Sequence, residues 1–104
     1  MERIRVRIEY DDDDLRRLAE EADYRPKQWG PDVIRAYRKK IQLLDGAKDE
    51  RDLRALRSLN LEKLKGGRAD QWSIRLNDQF RLIITFHTAE DNRVVIVVEL
   101  VDYH

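Results

Sequence analysis

The sequence predicts a single α+β domain over residues 1–104, built from an N-terminal strand, two helices and then a three-stranded antiparallel meander. Three observations lead to this prediction. Apolar residues alternate with polar ones near the N-terminus, recur at helical spacing in the second quarter of the chain, and alternate again in its last third. Helices that precede a meander pack on one face of its sheet, which is the α+β arrangement. A chain of 104 residues suffices for one compact domain with a modest core.

The first strand and helix are predicted from residues 3–22. The stretch "RIRVRIEY" alternates strictly, which is typical of a half-buried strand with its apolar side formed by Ile4, Val6, Ile8 and Tyr10. Four aspartates at 11–14 then interrupt the strand, and aspartate favours helix caps and the positive end of the helix dipole. We therefore expect the acidic run to begin a short helix rather than to bind a metal. The apolar face of that helix carries Leu15, Leu18, Ala19 and Ala22.

A longer second helix is predicted after the Gly30-Pro31 pair. It opens at Asp32, ends at Gly46, and carries an apolar stripe at helical spacing: Val33, Ile34, Tyr37, Ile41 and Leu44. Three basic residues lie away from this stripe: Arg35, Arg38 and Lys39. The segment "KDERDLRALRSLN" at 48–60 predicts one or two further helical turns.

The last third of the chain predicts the meander. "QWSIRLN" and "QFRLIITF" each alternate with period two, and Asn77-Asp78 between them is a plausible tight turn. "AEDN" at 89–92 gives a second turn, and "RVVIVVELVDYH" gives the last strand. The unbroken apolar run of that strand favours a central position in the sheet, covered on both faces.

Composition excludes several classes of function. The chain has no cysteine, so it has neither disulfides nor thiolate chemistry, and its two histidines, His87 and His104, argue against a histidine-rich metal site. We therefore expect no cofactor and no metal. The longest uncharged stretch, 82–89, is too short to span a membrane, and the N-terminus lacks the apolar region of a signal peptide. A cytoplasmic protein without a membrane partner is expected.

The charges are balanced overall but unevenly distributed. The chain has 21 lysines and arginines against 21 aspartates and glutamates, whereas residues 25–81 have 15 basic residues against 8 acidic ones. A basic central region suggests an anionic partner, and nucleic acid is the common one. Solvated helix faces are the alternative, and charge alone favours that alternative.

Polar residues of the meander suggest a chemistry. Lys65 lies in "LKGG", where glycines permit a sharp turn or a close backbone approach, while Arg75 and Arg81 alternate with the apolar stripe. We expect these cations to converge on one exposed sheet surface with the other polar residues of the region: Arg68, Asp102, Tyr103 and His104. Such a mixture suits RNA cleavage without a metal, because RNA carries its own nucleophile. The protein supplies a base, an acid and fixed positive charge, and histidine can serve as acid or base.

The same stretch resembles a known superfamily. "LEKLKGGRADQWSIRLNDQFRLIITF", followed by the terminal "VDYH", is similar to the RelE/ParE toxin superfamily and specifically to its HigB-like branch. The L-K-G, W-S-I-R, R-L-I and D-Y-H elements stand in the family's order and spacing, and "WGPDVIRAYRKKIQLL" and "DERDLRALRSLN" extend the resemblance over nearly the whole chain. The resemblance implies a RelE-like microbial RNase fold.

The resemblance also implies an activity. Toxins of this branch act as ribosome-dependent messenger RNA endonucleases in the ribosomal A site, through metal-independent attack by the 2′-hydroxyl. A helix-turn-helix antitoxin neutralises them, and operator DNA is bound only through the toxin–antitoxin complex. Carried over by position, Lys65 and Arg81 would stabilise phosphate charge, and His104 would act as general acid or base. Asp102 would orient His104, and Tyr103 would stack on a base or hydrogen-bond the RNA backbone. Arg68 and Arg75 are expected RNA contacts.

Two departures from the family pattern keep other functions open. Many relatives carry a histidine shortly before the lysine, whereas this chain has Asn60 and Glu62 there, so proton transfer would rest on His104. The overall neutrality is also unusual for a protein that binds ribosomes. One alternative is a ParE-like toxin that inhibits DNA gyrase and has no need of the cations or the D-Y-H ending. The other is a catalytically weak binding module that forms an autorepressor complex with its antitoxin.

Overall fold

The computed structural model describes residues 7–47, 50–59, 61–64, 71–89 and 92–102. The N-terminal half contains strand β1 (Arg7–Tyr10), helices α1 (Asp13–Glu20), α2 (Pro31–Asp45) and α3 (Glu50–Ala55), and a 3-10 turn at Arg57–Leu59. The other half contains β2 (Glu62–Lys63), β3 (Gln71–Arg75), β4 (Phe80–Ala89) and β5 (Asn92–Asp102). The predicted α+β class and the predicted order of elements are confirmed.

The five strands form one sheet in the order β1-β5-β4-β3-β2. The predicted meander of β3, β4 and β5 is antiparallel, and β5 is central as predicted, between β1 and β4. Two features were not predicted. β1 pairs with β5 in parallel, and the two-residue β2 extends the sheet beyond β3. The β4–β5 pairing also shifts by one residue, because Ile83 lies opposite Glu99 while Ile84 lies opposite Val97.

The helix boundaries follow from their capping residues. Asp12 caps α1, and its Oδ1 accepts a hydrogen bond from the Asp14 N–H at 2.7 Å. The acidic run therefore begins a helix as predicted. α2 begins at Pro31, one residue before the predicted opening, because Gly30 is the N-cap and proline's fixed φ suits the first helical position. Gly46 ends α2 as predicted, and its N–H donates to the Gln42 carbonyl at 3.2 Å.

α1 and α2 cover one face of the sheet, here called the helix face. All five residues of the predicted α2 stripe are buried in the same cluster as two leucines of α1: Leu15, Leu18, Val33, Ile34, Tyr37, Ile41 and Leu44. The strands contribute Ile74, Leu76, Leu82 and Ile84 to this cluster, all with the alternation that the sequence predicts. Trp72, Phe80, Phe86 and Leu100 pack at its margin.

Two side chains of α2 bind α1 directly. The fully buried Tyr37 donates its hydroxyl to the Leu15 carbonyl at 2.8 Å, and burial raises the pKa of its phenol, so it remains a donor. Arg38 donates to the carbonyls of Leu18 at 2.9 Å and of Glu21 and Tyr24 at 3.0 Å each. Arg38 lies off the apolar stripe as predicted, and its forked guanidinium reaches carbonyls of the last turn of α1 and of the loop that follows it.

The turn between β3 and β4 is organised by Asn77. Its Oδ1 accepts from the backbone N–H groups of Gln79 at 2.9 Å and of Phe80 at 2.7 Å. Its Nδ2 donates to Asp32 Oδ2 at 3.0 Å, which ties the turn to the start of α2. The predicted Asn77-Asp78 turn is confirmed, and it also fixes the hairpin against the helix layer.

Replacing Arg38 with alanine tests the link between the two helices. We expect Arg38→Ala to lower the free energy of unfolding by about 2 kcal/mol, because three carbonyls lose a charged donor. Arg35→Ala is the matched control: Arg35 is exposed and makes no hydrogen bond or ion pair with any described residue, so its removal should cost no more than ~0.5 kcal/mol. Urea unfolding measures both values. Equal values for the two variants would contradict the structural role of Arg38.

Candidate functional site

The face of the sheet opposite the helices, here called the far face, carries the predicted strand arginines. In antiparallel pairs, residues directly opposite each other share a face. Arg75 lies opposite Arg81, Ser73 lies opposite Ile83, and Glu62 of β2 lies opposite Ser73. Ser73 and Ile83 are only 2% and 4% exposed. The accessible charged groups around this buried centre, among the described residues, are Glu62, Arg75, Arg81 and Glu99, which lies opposite Ile83.

Arg81 is held beside a carboxylate. Its Nη1 lies 3.9 Å from Glu62 Oε2, so the pair reaches across β3 from β4 to β2. The Arg81 side chain is 22% exposed, whereas that of Glu62 is 69% exposed. The guanidinium is thus restrained by its surroundings while the carboxylate faces solvent. In the sequence, Glu62 stands out only as a departure from the family pattern, because a two-residue strand is too short to reveal which way its side chains point.

Arg75 is engaged by the neighbouring turn. Its Nη2 pairs with the Asp78 carboxylate, and its Nε donates to the Asn77 carbonyl at 3.3 Å. Two arginines directly opposite each other repel. Each therefore has its own acidic neighbour, Asp78 for Arg75 and Glu62 for Arg81. Arg75 braces the turn, with about half of its side chain exposed.

Asp102 lies on the other side of the sheet from Arg81. It pairs with Phe80 and stands two residues after Leu100, and both of these residues pack against the helix-face core. The alternation of β5 therefore assigns Asp102 to the helix face, at the rim of the sheet. There it is exposed and accepts a hydrogen bond from Gln79 Nε2 at 3.1 Å. The structure thus places the two strand arginines together and Asp102 apart from them.

Four further predicted site residues, Lys65, Arg68, Tyr103 and His104, lie outside the described residues, as does Asn60. The described residues that adjoin them in sequence, Leu64 and Asp102, pair at different levels along the sheet. The Leu64 N–H donates to the Gln71 carbonyl at 3.0 Å, and Gln71 is level with Thr85 on β4. Asp102 is level with Phe80, five positions away, which is about 17 Å along the strand. Arg81 lies between these two levels.

The described residues show neither a metal-binding cluster nor a membrane-spanning helix. These residues contain no group of three or more histidine, aspartate or glutamate side chains placed to hold a metal ion. Within the same residues, no helix has the length and apolar character needed to cross a bilayer.

Comparison with known families identifies the chain. A family model described as the RelE-like toxin of the type II toxin–antitoxin system HigB matches residues 8–104. The chain belongs to this HigB-like toxin family. The predicted resemblance is therefore confirmed, and the protein is a type II toxin of RelE-like type. Membership of a toxin–antitoxin family implies an antitoxin partner for this HigB-like toxin.

One solved structure confirms the fold of the HigB-like toxin. A YoeB/ParE toxin from Agrobacterium tumefaciens superposes with a TM-score of 0.51 at 15% sequence identity, covering 97% of this chain and 99% of that one. A YoeB dimer from Staphylococcus aureus gives a TM-score of 0.44 at 14% identity, covering 99% of both chains. Comparison by sequence with curated proteins gives no match. At such low identity, the first likeness shows a shared fold alone.

Proposed function

We propose that this HigB-like toxin is a ribosome-dependent endoribonuclease that cuts translated messenger RNA in the ribosomal A site. One observation carries the proposal: Arg81 is restrained on the far face, with its guanidinium 3.9 Å from the solvent-facing carboxylate of Glu62. A fixed cation and a proton acceptor are two of the three groups that RNA cleavage requires of a protein, and the third is an acid for the departing oxygen. RelE-like toxins are typically ribonucleases, which supports the same reaction class for this family member.

The reaction needs no group beyond the RNA and the side chains. The 2′-oxygen attacks the adjacent phosphorus while a base takes its proton. The bond from phosphorus to the 5′-oxygen then breaks, and an acid protonates the departing oxygen. The products are a 2′,3′-cyclic phosphate and a free 5′-hydroxyl. Negative charge grows on the phosphorane oxygens between these steps, and Arg81 would stabilise it because a guanidinium stays protonated at all relevant pH values.

The remaining roles follow the resemblance to RelE-like toxins. Lys65 would add positive charge near the phosphate, and His104 would act as acid or base, with Tyr103 stacking on a base. Glu62 is a second candidate for the base because its carboxylate is exposed beside Arg81. Asp102, at the rim of the sheet, would orient His104.

The partners follow from the proposed reaction. We propose a helix-turn-helix antitoxin as the neutralising partner, with operator DNA bound only through the toxin–antitoxin complex. Ribosome and messenger RNA are the proposed targets, and translation places the protein in the cytoplasm. The position of Asp102 on the helix face favours a second candidate, the catalytically weak binding module, because that position separates Asp102 from Arg81.

Removing Arg81 tests the proposal. Arg81→Ala should reduce messenger RNA cleavage by about 10²–10³-fold, as expected when one preorganised charge at a developing oxyanion is lost. Arg7→Ala is the matched control. Arg7 is an exposed arginine on the edge strand β1, and its Nη2 lies 3.5 Å from Glu9 Oε1, so it too has an acidic neighbour. The untagged protein is expressed from a tight promoter, and primer extension maps the new 5′ ends, with a deletion of His104 in parallel.

The possible outcomes separate the three functions. Cuts confined to translated codons, retained by Arg7→Ala and lost in the other two variants, would support the ribosome-dependent nuclease. Growth arrest with intact messenger RNA would instead favour gyrase inhibition. Folded protein that neither arrests growth nor cuts RNA would leave the binding module.

A Glu62→Gln variant separates chemistry from simple electrostatics. Removing a negative charge beside a phosphate site would by itself strengthen RNA binding and raise cleavage. If Glu62 accepts a proton or orients Arg81, the cleavage rate should instead fall by about 10–100-fold, because small misplacements of a catalytic group are costly. Single-turnover cleavage on programmed ribosomes measures the rate, and Glu62→Asp should restore part of it. An unchanged or faster rate in Glu62→Gln would exclude a role for this carboxylate.

A further inference from the structure

A basic groove runs along the outer side of α2. It encloses about 490 Å³ and is lined by residues of α2 and of the loop before it: Arg25, Pro31, Ile34, Arg35, Arg38, Lys39 and Gln42. This feature, here called the α2 groove, lies beside the buried stripe of α2 and shares Ile34 with it. Because α2 packs on the helix face of the sheet, the groove is separate from the far face that carries Arg81.

The cations of the α2 groove have no acidic partner among the residues that the structure describes. Arg25, Arg35 and Lys39 are exposed, and none of them makes a hydrogen bond or an ion pair with a described residue. Arg38 directs its donors at backbone carbonyls, and no described carboxylate pairs with it.

The arginines of the neighbouring helix α1 behave differently. Arg16 pairs with Asp13 and Glu20 at 2.9 Å each, and Arg17 pairs with Glu21 at 3.2 Å. In these two helices the acidic residues are therefore concentrated on α1, where they neutralise its arginines, while the positive charge of the α2 groove remains available. A neutral protein can in this way present a strongly cationic surface to one partner.

We propose that the α2 groove binds the phosphodiester backbone of RNA. Arg35 and Lys39 stand one helical turn apart, so their Cβ atoms are about 5–6 Å apart on one side of the helix, and Arg25 adds a third cation from the loop. Unpaired lysines and arginines along a groove are the usual means of holding a nucleic-acid backbone without reading its sequence. The proposal deepens the proposed function: the RNA in the α2 groove would be ribosomal, while the far face takes the messenger.

The lining of the groove fits RNA better than a peptide. A docking helix or peptide gains its affinity from apolar anchors inserted into pockets. Ile34 of the groove is only 3% exposed, so it offers almost no apolar surface for such an anchor to contact. A second groove of about 410 Å³, where α2 meets α3, has the opposite character, with a lining that includes Leu43, Ala47, Ala55 and Leu56. The cationic groove therefore suits phosphates, and the apolar one does not.

The test compares two double variants that lose the same charge. Every protein in the test is the full chain with the additional substitution Arg81→Ala, which suppresses cleavage of the probe. Binding of a fluorescein-labelled RNA duplex of arbitrary sequence is followed by anisotropy over a series of salt concentrations. Arg35→Gln/Lys39→Gln removes two unpaired cations from the groove, whereas Arg16→Gln/Arg17→Gln removes two paired ones from α1. Melting temperatures confirm that both variants are folded, as expected for substitutions of solvent-accessible side chains.

We expect the groove variant to bind the duplex about tenfold more weakly at moderate salt, and the slope of log K against log salt to become shallower by about two. The α1 variant should bind like its parent within about twofold. Equal losses in both variants would show that only net charge matters, and unchanged binding in the groove variant would show that the groove takes no RNA. Either result overturns the proposal.

Two further arms distinguish other partners. Tighter binding of a DNA duplex of the same sequence than of RNA would overturn the proposal in favour of DNA. Loss of affinity for the cognate antitoxin, with RNA binding intact, would assign the groove to an acidic segment of the antitoxin. Cleavage plays no part in these measurements, so a wild-type protein that fails to cut messenger RNA would remove the proposed nuclease and leave the result on the groove standing.

Discussion

The register of the β3–β4 hairpin is the constraint on which the rest of the site depends. Asn77 sets it by accepting two backbone N–H groups of the turn and by donating to Asp32 at the start of α2. A slip of one residue in a strand would turn its apolar set away from the core and its charged set into it. Arg81 faces away from the helices because Leu82 must face them. The site is therefore positioned by core packing, and the turn connects that packing to the helix layer.

The helix layer combines stability with a second charged surface. Tyr37 and Arg38 attach α2 to α1 through backbone carbonyls, so α1 needs no long apolar face to stay in place. The carboxylates of α1 neutralise the arginines of α1 itself, whereas no described carboxylate pairs with the cations of the α2 groove. A single helix thus has a buried stripe and a cationic groove on neighbouring sides of its surface, and Arg38, which attaches α2 to α1, also lines the groove. With Arg81 on the far face and the α2 groove on the helix side of the sheet, the two proposed RNA sites could be occupied at once, which suits the proposed action on the ribosome.

Much of the fold could be predicted from sequence because its signals are local. Period-two alternation identified the strands, the stripe from Val33 to Leu44 identified α2, and Asn77 identified the turn. The parallel pairing of β1 with β5 could not be predicted, since a strand's own pattern does not name its partner. The partners of Arg38 could not be predicted either, because a charged residue off the apolar stripe usually faces solvent, whereas this one binds the carbonyls of Leu18, Glu21 and Tyr24. The face of Asp102 was available from its spacing to Leu100, but convergence was expected from the chemistry of the residues instead. The roles of Lys65, Arg68, Tyr103 and His104 stay predictions, because these residues lie outside the described structure.

The use of the RNA's own 2′-hydroxyl is the central claim, and one substitution in the messenger tests it most directly. Purified ribosomes are programmed with a messenger that is cut at a known A-site codon, and with a second messenger in which the nucleotide before the cut carries hydrogen in place of its 2′-hydroxyl. Incubation with the wild-type toxin should cut the first messenger at that codon and leave the second intact there, because the attacking oxygen is missing. Cleavage of both messengers at the same position would contradict the mechanism, since the nucleophile would then have to come from water or from the protein.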